Sequence, residues 1–342
     1  MAGERPTLDT VAAAAGVSRM TVSNAYNRPD QLSPETRRRV LEVAGRLGYA
    51  GPDPTAASLR LRRTGTIGVV LTERLPYAFA DPGLVTILHG IATELSDTGT
   101  ALLLVPGHPE GGESQLRHAL VDAVILCAVS AKDPAVAAAR ERQVPIVTVG
   151  TPKLPRVPRV GSNNRRAAAE VARHLIELGH RRLAVLTTAT DERAGRVRPI
   201  FYERVRGFED EVRTAGGEVS VICAGDNSRP AGRDAVADLL HSAKRHRPTA
   251  LFAVTDILAI GVLDAAAEAG LDVPRQLSVA GFDDVAAASA TSPSLTTVSH
   301  DLFGQGRAAA RLARRLIAGE AARPPRIKTD LIVRKSTARA PR

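Results

Sequence analysis

Residues 7–49 read TLDTVAAAAGVSRMTVSNAYNRPDQLSPETRRRVLEVAGRLGY, and this stretch decides the architecture at the N-terminus. Thr7 is placed to cap a helix whose first turn carries Leu8 and Asp9, an acid that suits the positive end of the helix dipole. The Ala-rich helix stops at Gly16, since glycine leaves helical geometry at least cost. Ser18 then caps a second helix over Arg19 to about Tyr26, so only a short turn separates the two. That spacing is a helix-turn-helix whose second helix suits a DNA major groove. Ala12, Ala13, Val17 and Val22 supply small apolar contacts for a close helix crossing, while Arg19, Met20 and Asn24 fall on another face, Arg19 and Met20 at the N-terminal end that reaches base edges. Thr7, Ser18, Thr21, Ser23 and Asn27 are short hydrogen-bonding side chains suited to phosphate oxygens. A third helix starts at Ser33 with Pro34 at its first position, carries Arg37, Arg38 and Arg39, packs Val40, Leu41 and Val43, and ends near Gly48. Spacing alone fits an ordinary three-helix bundle with solvated arginines equally well; the whole 43-residue pattern favours DNA binding.

Charge supports this division. The chain has 342 residues and a formal net charge of +10. Residues 1–63 hold ten Arg against six Asp or Glu, residues 64–322 hold 29 basic against 29 acidic side chains, and the last twenty hold seven against one. A basic head on a neutral body fits a DNA-binding module joined to a ligand-binding one. The basic tail reads as a solvated end. No apolar run approaches the length of a membrane span, and the charged start MAGERPTLDT lacks a signal-peptide core, so a cytoplasmic protein with no membrane partner is expected. Cys127 and Cys223 lie in apolar strand-like runs far apart, which predicts two buried thiols rather than a disulfide, metal site or nucleophile. HExxH, CxxC and phosphate-loop motifs are absent, so no metal or cofactor is expected.

After Tyr49, Pro52 and Pro54 end the third helix, and Thr55–Arg60 has helix-forming character for barely two turns, too short to be stable alone. Leu59 among Ser58, Arg60, Arg62 and Arg63 is the mix found in minor-groove wedges, though a plain basic linker has the same composition. From Thr66 the texture changes. Strands are predicted at TIGVVLT (66–72), ALLLVP (101–106), DAVILCAV (122–129) and PIVTVG (145–150), with helices over 83–99, around Ser114–Leu120 and from about Pro134. The pattern restarts after Val160: helices over 164–182, 201–217, 233–246 and 256–271 alternate with strands RLAVLTT (182–188), EVSVICA (218–224), TALFAVT (249–255) and LSVAGFD (277–283). LTTVSH (295–300), a helix from Asp301 to about Ala318, and a last strand within IKTDLIVRKST (327–337) complete the chain. Continuous apolar strands alternating with helices mean doubly covered parallel sheets. Two such lobes around a cleft close on a ligand, which binds beyond the carboxyl ends of the strands.

Many segments in this order resemble the lactose-repressor/galactose-repressor (LacI/GalR) family of bacterial transcription regulators: residues 7–27 and 32–49, AASLR (56–60), LIELGHRRLAVLT (175–187), RVRGF (204–208), PTALFAVTD (248–256), LSVAGFDD (277–284), SPSLTTVSHD (292–301) and LIVRKST (331–337). The resemblance covers nearly the whole chain. It implies an α/β protein with an all-α helix-turn-helix head (1–50), a hinge helix (51–64) and a two-lobed, periplasmic-binding-protein-like core (65–342). The N-lobe would hold about 65–161 plus 300–328, and the C-lobe about 162–299 plus 329–342. It also implies a homodimer, sometimes paired into tetramers, on a pseudo-palindromic double-stranded operator, with affinity controlled by a small polar effector such as a sugar.

On the family's pattern Arg19, Met20 and Asn24 read bases and Leu59 wedges into the minor groove. The DNA-contacting set is then Thr7, Leu8, Ser18, Arg19, Met20, Thr21, Ser23, Asn24, Asn27, Tyr49, Ala56 and Leu59. The effector set is Arg204, Thr255, Asp256, Asp283 and His300, with Tyr77 and Phe79 as an apolar or stacking wall. An arginine and a carboxylate at strand ends suit a polyol. Three departures stand out: Asn24 replaces a common arginine, Ser162-Asn163-Asn164 replaces an aspartate-led entry to the second lobe, and no Trp is available for a sugar-stacking floor. Two other classes use such a cleft. A transport-type solute-binding protein would carry an export signal and no DNA-binding head; an enzyme would need an activated nucleophile or cofactor loop beside Arg204, Asp283 and His300.

Overall fold

Thr7 caps helix α1 (Leu8–Ala15) by accepting from the Thr10 amide, while the Thr10 hydroxyl accepts from the Thr7 amide, a reciprocal capping box. Gly16 ends α1 in the left-handed region at φ +63°, and Ser18 caps α2 (Arg19–Asn27) through the Thr21 amide. A single 3-10 turn (Pro29–Gln31) leads to α3 (Pro34–Leu47), capped by Ser33 and closed by Gly48 at φ +70°. The three helices bury Val11, Ala12, Ala15, Val22, Ala25, Val40, Val43 and Ala44 in one core. Ala13 is exposed, one residue off the buried stripe of α1. The head belongs to a compact unit, Met1–Thr64, distinct from Gly65–Arg342. The computed structural model describes residues 6–52, 63–71, 75–107, 113–188, 199–242 and 247–341. Ala56, Leu59 and the expected hinge helix lie outside the described residues.

In the second unit, β1 (Thr66–Val70), β2 (Ala101–Val105), β3 (Ala123–Cys127), β4 (Ile146–Val149) and the two-residue β5 (Arg159–Val160) form a parallel sheet in the order β2-β1-β3-β4-β5. Its connections include α4 (Leu75–Ala80), α5 (Pro82–Leu95) and α6 (Pro134–Glu141). The two faces have separate cores, one built on Ile67, Val69 and Ile125 and the other on Val70, Val124 and Leu126. That is the two-sided burial that continuous apolar strands require. The helix expected around Ser114–Leu120 is only a 3-10 turn, Gln115–Arg117. The segment is short and runs straight into β3.

The second lobe orders β6 (Arg182–Thr188), β7 (Glu218–Ala224), β8 (Ala250–Ala253) and β9 (Ser278–Ala280) as β7-β6-β8-β9, again all parallel. Around it lie α7 (Asn164–Glu177), α8 (Pro199–Thr214), α9 (Arg229–His241) and α10 (Asp256–Glu268), followed by the short α11 (Ala286–Ala290). β7 is an edge strand and most of its side chains are not buried, so Cys223 is exposed. The expectation of two buried thiols therefore fails at Cys223: apolar content does not distinguish a central strand from an edge one. Cys127, in the central β3, is fully buried, and burial pushes its thiol up to about 12.

The chain passes between lobes three times. It crosses between β5 and α7, and again after β10 (Thr297–Ser299) into α12 (Leu302–Ile317), which packs on α5, β3 and β4. It then returns to β11 (Asp330–Ile332), antiparallel to β10. Glycines allow the closest helix crossings. A Cβ on Gly90 of α5 would sit 2.1 Å from the Phe303 carbonyl oxygen of α12, and one on Gly207 of α8 would sit 2.0 Å from the Arg165 carbonyl oxygen of α7.

Candidate functional site

Two surfaces carry chemistry, one in each unit. On the head, Arg19 and Met20 open α2 with their side chains in solvent; Met20 is 65% exposed. Arg19 lies 3.5 Å from the Asp9 carboxylate, both well exposed, so solvent screens the pair. Asn24 is half-buried and donates at 3.4 Å to the Gln31 side chain. Thr7, Ser18 and Asn27 are exposed and Thr21 partly so. Three members of the DNA-contacting set turn inward. Ser23 is buried and accepts from Asn27 at 3.4 Å, because it shares the face of Val22 that meets the core. Leu8 and Tyr49 pack against the head core, and the carbonyl oxygen of Tyr49 accepts from the Tyr26 hydroxyl.

The second surface is a cavity of about 100 Å³ between the lobes of the larger unit. Leu84, Ile87, Val149, Ile200, Phe201 and Leu302 give it an apolar wall. Arg204, Asp283, His300, Thr255, Ser162, Asn164 and Asp81 supply polar groups. Most of the polar residues stand at the carboxyl ends of strands or at the starts of helices, where open α/β sheets bind ligands, and Arg204 reaches in from the second turn of α8 (Pro199–Thr214).

Arg204 anchors the arrangement. It is 3% exposed, and Nε donates to Asn164 Oδ1 at 2.9 Å. Nη1 donates to the Val254 carbonyl at 2.6 Å and lies 3.0 Å from Asp283 Oδ1. The guanidinium stacks 3.7 Å from the centre of the Phe282 ring. Burial pulls its pKa below the ordinary value, and Asp283 pushes it back up. The close approach of Gly207 to α7 sets this geometry: it draws α8 onto α7 and places Arg204, one turn earlier, within reach of Asn164.

Asp283 Oδ1 also accepts from His300 Nε2 at 3.1 Å. The tautomer follows from the neighbours. Gln305 Nε2 donates to the His300 carbonyl at 2.6 Å, which identifies that end of the side chain as the amide nitrogen. The same nitrogen lies 3.1 Å from His300 Nδ1, so Nδ1 is the acceptor and Nε2 carries the proton. Burial lowers the His300 pKa against the opposing pull of Asp283, which fits the neutral ring. Asp283 Oδ2 faces the other lobe: a Cβ on Gly83 would lie 3.7 Å from it. The backbone of Asp283 sits at φ +120°, a conformation that non-glycine residues hold only under constraint and that concentrates at binding sites.

Ser162 Oγ lies 3.3 Å from His300 Nδ1, so Ser162, His300 and Asp283 form a line like a nucleophile, base and orienting acid. Gln305 competes for the same Nδ1 lone pair, which blunts the ring as a base. The line therefore orders hydrogen-bonding groups around the cavity rather than activating the serine. Among the described residues, no group of three or more His, Cys, Asp or Glu could hold a metal ion.

The structure brings Tyr77, Arg204, Thr255, Asp283 and His300 together on the cavity, and two other expected members stand elsewhere. Phe79 is 65% exposed and points away, since helix α4 turns Tyr77 inward and Phe79 outward. Asp256 is fully buried behind the wall, where it accepts from Thr297 Oγ1 at 2.5 Å and the Val285 amide at 2.9 Å. Burial raises its pKa to about 7, and the nearby Asp283 adds to the shift. Sequence reasoning missed Asp81 and Gln305, and noted Ser162 and Asn164 as a departure at the entry to the second lobe without placing them in the effector set. Asp81 carried a legible signal, since an aspartate before Pro82 marks a helix N-cap.

The comparisons with known proteins agree with both units. Residues 7–51 match the model described as bacterial regulatory proteins, lacI family, and residues 172–337 match the periplasmic binding protein-like domain. The HTH-type transcriptional regulator IpsA of Corynebacterium glutamicum is 38% identical over 313 residues, covering 85% of this chain and 86% of that protein. The structure of a LacI-family transcriptional regulator from Corynebacterium glutamicum aligns with TM-score 0.71 and 32% identity over 98% of this chain and 99% of that one. The complex of the transcriptional regulator CelR with cellobiose aligns with TM-score 0.67 and 33% identity over 97% and 100% of the two chains.

Proposed function

This chain belongs to the LacI family of bacterial regulatory proteins, and on that premise we propose a cytoplasmic repressor whose operator affinity is set by a small neutral polyol in the interlobe cavity. The family assignment makes it a helix-turn-helix transcriptional regulator. The finer reading rests on Asp283, whose Oδ1 is held by Arg204 and His300 while Oδ2 faces the opposite lobe across the cavity. A carboxylate fixed in this way accepts from a ligand hydroxyl, and the apolar wall of Ile87, Val149 and Leu302 takes a carbon face.

Charge narrows the ligand. The Arg204 charge is already balanced by Asp283, and Asp81 adds a further carboxylate. The starts of α5, α7, α10 and α12 are capped by Asp81, Asn163, Thr255 and Asp301, each of which occupies one or two of the amides that an anionic ligand would use. A phosphorylated ligand is therefore disfavoured.

On DNA, Arg19, Met20 and Asn24 read base edges and Thr7, Ser18, Thr21 and Asn27 hold phosphates. A homodimer presents two heads to a pseudo-palindromic site. Thermal-shift screening of neutral monosaccharides and cyclitols against their phosphates, followed by operator binding with each hit, tests the reading. A neutral hit that alters operator affinity supports it; stabilisation by phosphorylated compounds alone overturns it.

A further inference from the structure

Asn227 lies between β7 and α9, is 2% exposed, and does not itself line the cavity. Every polar atom of its side chain is engaged. Nδ2 donates to the Tyr77 hydroxyl oxygen at 2.9 Å and to Asp81 Oδ2 at 3.2 Å, both on the opposite lobe. Oδ1 accepts from Thr255 Oγ1 at 2.6 Å on its own lobe. The amide orientation is fixed, because the Asp81 carboxylate only accepts and must face the nitrogen. The Tyr77 hydroxyl donates to Asp81 Oδ2 at 2.9 Å, and Asp81 Oδ1 accepts from the Gly83 and Leu84 amides at the start of α5. One buried amide thus joins three cavity-lining side chains from two lobes in a closed network.

We propose that Asn227 is the latch of the cleft: it holds the two lobes together and positions Tyr77, Asp81 and Thr255 for the ligand. Thr255 spends its proton on Asn227 while its oxygen also accepts from the Leu258 amide, so toward the cavity it can act only as an acceptor, and the Asp81 carboxylate is oriented by Tyr77 and the α5 amides. A buried network of this kind is strong when complete and costly when broken, which gives the two-state behaviour a lobe-closure switch requires. Nearby, Lys153 and Glu203 join the lobes at 3.1 Å, but this pair is solvent-screened and secondary. The functional consequence rests on the cavity reading above, whereas closure itself does not.

The test uses the full chain without effector. Nitroxides at Cys223, exposed on β7, and at Leu120→Cys, exposed before β3, report the distance between lobes; the buried Cys127 is shielded from the label. The unmodified network gives a narrow, short distance distribution. Asn227→Ala lowers the short-distance population by at least half, and Tyr77→Phe, which removes one hydroxyl, lowers it less. The exchange Asp81→Asn with Asn227→Asp restores it, because Asn at 81 keeps the helix cap while donating to the new carboxylate. Circular dichroism confirms that each variant is folded. A short-distance population unchanged in Asn227→Ala, or an exchange variant as open as the single ones, overturns the latch. Because no effector is added, failure here is distinct from failure of the effector reading.

Discussion

The Arg204 Nη1 lies 3.0 Å from Asp283 Oδ1 in a setting where both side chains are almost completely out of water. Removing one partner of such a pair leaves the other charge buried and uncompensated, at a cost of about 3–5 kcal/mol. Arg204→Ala is therefore expected to lower the thermal stability of the larger unit and abolish the effector response. Operator binding by the head persists. Arg204→Met with Asp283→Asn removes both charges and recovers stability without recovering the response. Thermal unfolding and operator titration on the three proteins check this; a stable but unresponsive single variant would contradict the electrostatic part.

Gly207 governs Arg204 from a distance. A Cβ there would meet the Arg165 carbonyl oxygen at 2.0 Å, backbone that cannot step aside as a side chain would. Gly207→Ala should push α8 off α7, cost about 1–3 kcal/mol as an overpacked contact does, and weaken effector binding through Arg204. Calorimetry with the effector identified by screening would show it. Unchanged affinity would mean that Arg204 is positioned by its own hydrogen bonds alone.

Asp256 gives a pH signature of defined sign. Its pKa is raised from 3.8 to about 7 by burial, so the folded chain holds a proton that the unfolded chain releases between about pH 4 and 7. Its contribution to stability is complete below the unfolded pKa and is lost as pH rises through the folded one. Within that window the slope approaches about 1.4 kcal/mol per pH unit. Asp256→Asn keeps the shape and removes the titration. Denaturant unfolding should show wild type losing stability relative to Asp256→Asn from pH 5 to 7, with parallel curves above about pH 8. Parallel curves throughout would show that Asp256 is charged in the fold.

In the head, capping and base reading are separable. Ser18 accepts from the Thr21 amide at 3.1 Å, and Ser18→Ala should destabilise the head by about 1 kcal/mol. Its operator binding should fall on every sequence alike. Arg19→Ala removes no cap, and relaxes discrimination at one base pair of each half-site by roughly 1–3 kcal/mol if the contact is bidentate to guanine. Competition binding against single-base operator variants distinguishes the two. A uniform loss in Arg19→Ala would make Arg19 a phosphate contact.

Much of this is legible in the sequence because local signals and the global fold agree. Thr7, Gly16, Ser18, Ser33, Pro34 and Gly48 act at the helix ends where their chemistry points. The order of strands and helices follows the alternation of apolar runs. What stayed hidden depends on neighbours distant in sequence. Cys223 is exposed because β7 is an edge strand, and Ser23 turns inward with Val22. Asp256 lies behind the cavity because Thr297 and Val285 close over it from another segment. Phe79 and Tyr77 are two residues apart and looked equivalent, yet helix α4 points them in different directions. Asn227 sits among loop-forming residues, and only the approach of Tyr77 and Asp81 from the other lobe gives it a role.

The central claim is that the cavity and the operator are linked through one chain, and the most direct test is reciprocal titration of labelled operator and effector. Fluorescence anisotropy gives the operator Kd at zero and saturating effector; calorimetry gives the effector Kd with and without saturating operator. The account predicts that the two ratios are equal, as linkage demands, and that both become one in Arg204→Ala. An effector that binds the cavity and leaves the operator Kd unchanged, or a response that survives in Arg204→Ala, would contradict it.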